Sequence, residues 1–117
     1  MGFRFEDLEI FKDAVEFAAE VYEAVERFPD SERYNLMSQI MRAVNSISLN
    51  IAEGSGRGTR KEFSRFLDIA IGSCYEVVAC LILAKRLGYI IDSELEKIKA
   101  NAETLCKRTN SFKRTLK

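Results

Sequence analysis

The residues of this chain best equipped for chemistry lie together in Gly54-Ser55-Gly56-Arg57-Gly58-Thr59-Arg60-Lys61, followed one turn later by Arg65. Glycines leave backbone amides open, and amides at a helix N-terminus attract anions through unpaired N–H groups and the helix dipole together. Arginine contributes a planar fork that matches phosphate oxygens. Cations at a helix N-terminus oppose the dipole, so Arg60 and Lys61 are not there to steady the helix they open. The expected chemistry is phosphate binding through Arg57, Arg60, Lys61 and Arg65, with a solvated turn as the alternative. A nucleotide loop is excluded, because the segment follows a helical pattern instead of a strand and lacks the Lys-Ser or Lys-Thr ending.

A second set of cations, Lys107, Arg108, Lys113 and Arg114 with Lys117, falls in the last twelve residues, where no acid occurs. Part of it complements a helix C-terminus. The chain balances 18 bases against 18 acids, but unevenly. Residues 1–32 hold ten acids and three bases, so everything after them is net basic. Tyr34 and Tyr89 are the only aromatics near turns, too few to stack bases; contacts to RNA are expected at phosphates.

Two further groups stand out. Gln39, Arg42, Ser46, Asn50 and Glu53 form a polar stripe at helical spacing, and Ser46 and Asn50 are poor helix formers. Such a stripe is a solvated face, or it carries hydrogen bonds to another helix, another subunit or a ligand. Glu76 interrupts an apolar run and needs a partner if buried. Gly54 is expected to cap its helix in the left-handed region.

Much chemistry is missing. No histidine occurs, which removes the commonest general base, the Glu-x-x-His di-metal motif of ferritin-like bundles and most zinc sites. Cys74, Cys80 and Cys106 are odd in number and lack metal-ligand spacing; they read as buried thiols of a reducing compartment, not a disulfide framework. The expectation is a binding protein, not an enzyme, with no cofactor and no metal. The start of the sequence has no apolar h-region, and no window is judged long and apolar enough for a membrane span, so the chain is expected to be cytoplasmic.

The elements that must position these residues are all helical. A single proline and repeated 3.6-residue periodicity predict an all-α chain, one domain over residues 1–117, with helices at about 5–27, 30–53, 61–87 and 92–112. The first helix has two apolar stripes side by side, Leu8, Phe11, Val15, Ala18, Tyr22 and Val25 beside Ile10, Ala14, Phe17, Val21, Ala24 and Phe28. That width suits either a well-covered core helix or one that also meets another subunit. The second helix presents Met37, Ile40, Val44, Ile47 and Ile51; the third presents Phe63, Leu67, Ala70, Cys74, Val77, Leu81 and Ala84. Thr59 and Glu62 predict a capping box, and the short glycine connection makes the flanking helices antiparallel.

The run Glu32-Arg33-Tyr34-Asn35-Leu36-Met37-Ser38-Gln39-Ile40, then Arg42-Ala43, Ser46-Ile47-Ser48-Leu49-Asn50-Ile51-Ala52-Glu53-Gly54 and Lys61-Glu62-Phe63 resembles a known family. These are the bacterial four-helix-bundle proteins encoded in intervening sequences of the large-subunit ribosomal RNA gene. Phe5-Glu6-Asp7-Leu8, Gly72-Ser73, Glu76 and Leu87-Gly88-Tyr89 match too. The chain departs from the family pattern at Ser48 and Leu49, where proline and a small residue are usual, and at Ile71, where arginine is common. The resemblance implies an up-down-up-down antiparallel four-helix bundle assembled as a ring-shaped homo-oligomer, a pentamer, with a basic surface. Related proteins are accessory factors of diversity-generating retroelements, where the ring binds a reverse transcriptase and its template RNA.

Overall fold

The structure, a computed structural model, describes residues 2–117. Helix α1 (Glu9–Val25) settles which of its two apolar stripes faces inward. Ile10, Ala14, Phe17, Val21, Ala24 and Phe28 are buried, whereas Val15 and Tyr22 of the other stripe are 44% and 38% exposed. Leu8, Phe11 and Ala18 pack half-buried at the rim of the core, and only Val25 is fully enclosed. The helix begins later than the periodicity predicts, because Arg4–Asp7 winds as a 3-10 turn before it.

Helix α1 stops at Val25, two residues short of the predicted Arg27 and four before Pro29, and α2 (Leu36–Ser55) starts six residues beyond the predicted Asp30. Asp30–Glu32 forms a 3-10 turn instead. The reason lies in Glu32, whose Oε1 accepts from the Leu36 amide at 3.3 Å while Oε2 accepts from the Tyr89 hydroxyl at 2.8 Å. One carboxylate thus caps α2 and ties the first connection to the third. The hydrogen bond to Glu32, with desolvation, raises the Tyr89 pKa above its ordinary value.

From α2, Ile40, Val44, Ile47 and Ile51 enter the core, joined by Leu36, Ala43 and Gly54. A four-residue connection leads to α3 (Arg60–Arg86), whose predicted seam is buried in full from Phe63 to Ala84. Thr59 Oγ1 accepts from the Glu62 amide at 3.1 Å, but the return half of the expected capping box is absent, since the Glu62 carboxylate turns to Arg65. Helix α3 ends in a Schellman motif: Tyr89 N–H donates to Ala84 O at 2.9 Å, Gly88 N–H to Lys85 O at 3.0 Å, and Gly88 has φ +83°. Replacing Gly88 with alanine forces a Cβ into that left-handed conformation and should cost about 1 kcal/mol in a urea melt. An unchanged midpoint would mean the turn relaxes at no cost.

Helix α4 (Asp92–Arg114) closes the bundle with Leu95, Ile98, Ala102, Leu105 and Thr109 inward. Each helix packs against two others, in the cyclic order α1, α2, α3, α4, with the bundle 44 Å long and 23 Å across. At the α3–α4 turn Lys85 Nζ lies 2.8 Å from Asp92 Oδ1, which raises the lysine pKa and lowers that of the carboxyl below 3.8. A depressed carboxyl contributes stability above its unfolded pKa and loses it as pH falls through the folded value. The Asp92 side chain is 67% exposed, so solvent screening keeps the effect small. The expected result in an NMR titration is an Asp92 midpoint below 3.8 that returns to about 3.8 in Lys85→Met.

One sequence expectation needs correcting. The stretch Arg60–Arg86 does contain an 18-residue window long and apolar enough, by length and composition, to cross a membrane. Only 44% of that window is buried within the bundle. Its hydrophobicity is divided between the core seam and an outer face bearing Ile69, Tyr75, Ile82 and Leu83, all at least 41% exposed.

Candidate nucleic-acid interface

Antiparallel packing brings the start of α1, the end of α2, the start of α3 and the end of α4 to one pole of the bundle. The two basic clusters, separated by more than forty residues in sequence, therefore share a surface. Aromatic contacts fix it: Phe63 and Phe112 meet edge to face with centroids 5.5 Å apart, linking α3 to α4. Arg4, which the sequence reading passed over, lies 5.4 Å above the Phe63 ring and adds a cation to the same pole.

The loop arginines are held by an aromatic platform. Arg57 sits 4.8 Å and Arg65 5.4 Å from the centre of the Phe66 ring. Each guanidinium also meets a carboxylate, Arg57 with Glu53 at 2.8 Å and Arg65 with Glu62 at 3.4 Å. These exposed pairs are individually weak and leave the forks available to a stronger anion. Arg60 and Lys61 point into solvent and make no ion pair among the described residues. They are the pole's free cations on α3.

The C-terminal cluster divides. Arg108 bridges to Asp13 of α1 at 2.8 Å and Lys113 to Asp68 of α3 at 2.5 Å, so both tie helices together. Lys107 and Arg114 face outward, the latter donating to Ser111 Oγ at 3.4 Å. At the far pole Arg27 pairs with Glu94 and Lys85 with Asp92, and Asp30, Glu26 and Glu23 lie near Arg33 and Arg86.

The polar stripe of α2 has a structural role in part. Ser46 Oγ and Ser73 Oγ are 2.8 Å apart across the α2–α3 seam, and Asn50 Nδ2 donates to Ser46 O at 2.7 Å and to Ser46 Oγ at 2.9 Å. These small groups satisfy one another where the two helices pack. Gln39 and Arg42 remain exposed beside Leu83 and Leu87 at the rim of a shallow concavity, and Glu53 holds Arg57. Glu76 is exposed, so the partner that burial would demand is not needed within the subunit.

Gly54 lies inside α2 and is buried, with no positive φ, which overturns the expected left-handed cap. Its purpose is close approach. A Cβ there would stand 2.7 Å from Phe66 Cβ and 2.9 Å from Phe63 Cδ1. Glycine lets the end of α2 rest on the two phenylalanines that organise the pole. A glycine followed by paired phenylalanines on the next helix was the available sequence signal for this contact, as was the nearness of Phe66 to the arginines.

The geometry defines an all-α, four-helix-bundle protein with a basic pole and, among the described residues, no metal-ligand cluster. Residues 6–111 match the family model of the 23S rRNA-intervening sequence proteins, and the chain belongs to that family. Its fold is similar to the crystal structure of a protein of unknown function from the S23 ribosomal protein family of Bacteroides thetaiotaomicron, with a TM-score of 0.78 and 25% identity over 89% of this chain and 97% of that one. No curated protein matches.

Proposed function

We propose that this chain is a non-enzymatic, oligomeric RNA-binding protein that holds structured RNA by its phosphates, with the basic pole as the contact surface. The observation that carries this reading is the convergence of Arg57, Arg60, Lys61 and Arg65 with Lys107 and Arg114 at one pole. Arg60, Lys61, Lys107 and Arg114 make the free contacts, and Arg57 and Arg65 exchange Glu53 and Glu62 for phosphate. Arg108 and Lys113 act chiefly within the bundle. A cytoplasmic homo-oligomer, a pentameric ring by resemblance, would repeat the pole and multiply weak contacts.

The outer face of α3 supports a second reading, a scaffold that docks a protein such as a reverse transcriptase. Tyr75 is 69% exposed there and Ile82 and Leu83 nearly half exposed, a larger apolar strip than a solvated helix needs. The deciding experiment is binding of a structured RNA across a salt series, with oligomer mass by light scattering on the same sample. Phosphate binding predicts log affinity falling linearly with log salt. Absence of binding at low salt would remove the first reading, and nuclease-resistant capture of a polymerase would establish the second.

A further inference from the structure

Cys74 and Cys106 meet across the seam between α3 and α4. Cys74 is 2% exposed, and its Sγ lies 3.8 Å from the carbonyl oxygen of Ala102, one turn before Cys106. Cys106 is only half-buried, and both residues line a groove of about 430 Å³ with Tyr75, Val78 and Ile82. The neighbouring Cys106 thiol, with burial, raises the Cys74 pKa, and Cys74 lowers that of Cys106 below 9.0. The sulfur that the groove reaches is thus the one favoured as thiolate, the reactive form. Its neighbour keeps a proton beside it. Cys80 stands apart, buried, with its thiol pKa raised by desolvation and by Glu76.

We propose that Cys74 and Cys106 are a reversible modification site, a dithiol that a peroxide converts into an intramolecular disulfide joining α3 to α4. In the first step the Cys106 thiolate attacks one oxygen of hydrogen peroxide, the O–O bond breaks, hydroxide leaves, and Cys106 becomes a sulfenic acid. In the second, the Cys74 sulfur attacks the Cys106 sulfur, the S–O bond breaks, and the hydroxyl departs with the Cys74 proton as water. Once the hydroxide takes up a proton, two thiols and one peroxide have given one disulfide and two waters. The dithiol loses the two electrons that the peroxide gains. Cys74 is buried on the same groove as Cys106, so a sulfenic acid at Cys106 has a resolving thiol within its own subunit. Lys107 of the basic pole lines the same groove, and the oxidation is read without RNA.

The test treats the full chain with a small excess of hydrogen peroxide, alkylates the remaining thiols after denaturation, and maps peptides without reduction. The expected result is one Cys74–Cys106 cross-linked peptide, an alkylated Cys80, a monomeric chain lighter by two hydrogens, and a melting temperature that rises and falls back with dithiothreitol. Cys74→Ser should leave Cys106 as a sulfenic acid that dimedone labels, and Cys106→Ser should slow peroxide consumption at least tenfold. The proposal is overturned if the wild type carries Cys106 to sulfinic acid with no cross-link, if the disulfide joins two chains, or if Cys80 is consumed first.

Discussion

Arg60→Glu with Lys61→Glu should weaken binding of a structured RNA by about 100-fold at low salt and flatten the salt dependence by about two contacts' worth of slope. The two side chains make no ion pair among the described residues, so each exchange removes a phosphate contact and adds a repulsion without breaking a bridge. Glutamate also suits a helix N-terminus better than lysine, so helicity and melting temperature should hold or rise slightly. Lys113→Glu is the contrasting variant. It breaks the bridge to Asp68 and sets two carboxylates side by side, so its larger effect should be on stability. Fluorescence anisotropy on both variants, with circular dichroism alongside, separates these outcomes. Equal loss in the two would mean the pole acts only through its total charge, and no loss in Arg60→Glu with Lys61→Glu would place RNA binding elsewhere.

Gly54→Val should destabilise the fold by about 3 kcal/mol, one of the largest single effects available outside the apolar core. The first added carbon alone meets Phe66 Cβ at 2.7 Å and Phe63 Cδ1 at 2.9 Å, and neither contact is with the flexible end of a side chain. Valine's branches enlarge the clash. The helix must then lift from the phenylalanines or the rings must leave their places, and either movement disturbs the platform under Arg57 and Arg65. Gly54→Ala should show a smaller loss of the same kind. Urea melts of the two measure the effect. A Gly54→Ala protein as stable as the wild type, with Gly54→Val barely weaker, would show that the pole repacks freely.

Gly54 also illustrates how the right residue can be noticed for the wrong reason. A glycine near a helix end reads as a left-handed cap, since nothing local reveals a phenylalanine twelve positions ahead folding back onto it. The same ambiguity affects α1. Its stripes beginning at Leu8 and Ile10 have the same period, so periodicity alone offers two equally good core faces. Choosing between them requires the positions of α2 and α4, which cover Ile10, Ala14, Phe17 and Val21 and leave Val15 and Tyr22 at the surface. Glu32 was unreadable for a different reason. Its partners, the Leu36 amide and the Tyr89 hydroxyl, belong to separate turns that meet only in the bundle.

Local patterns alone establish that this chain is helical, where its helices lie to within a few residues except at the start of α2, which seams of α2 and α3 are buried, and that Thr59 opens α3. These follow from short-range causes: 3.6-residue periodicity, a cap acting over three positions, and breakers that act where they stand. Packing of the four helices is what brings the two basic clusters to one pole, leaves some cations free and spends others on Asp13 and Asp68, and sets Cys74 and Cys106 on one groove. Those facts depend on how four antiparallel helices are rotated about their own axes. That rotation is set by side-chain packing between helices, which no local pattern encodes.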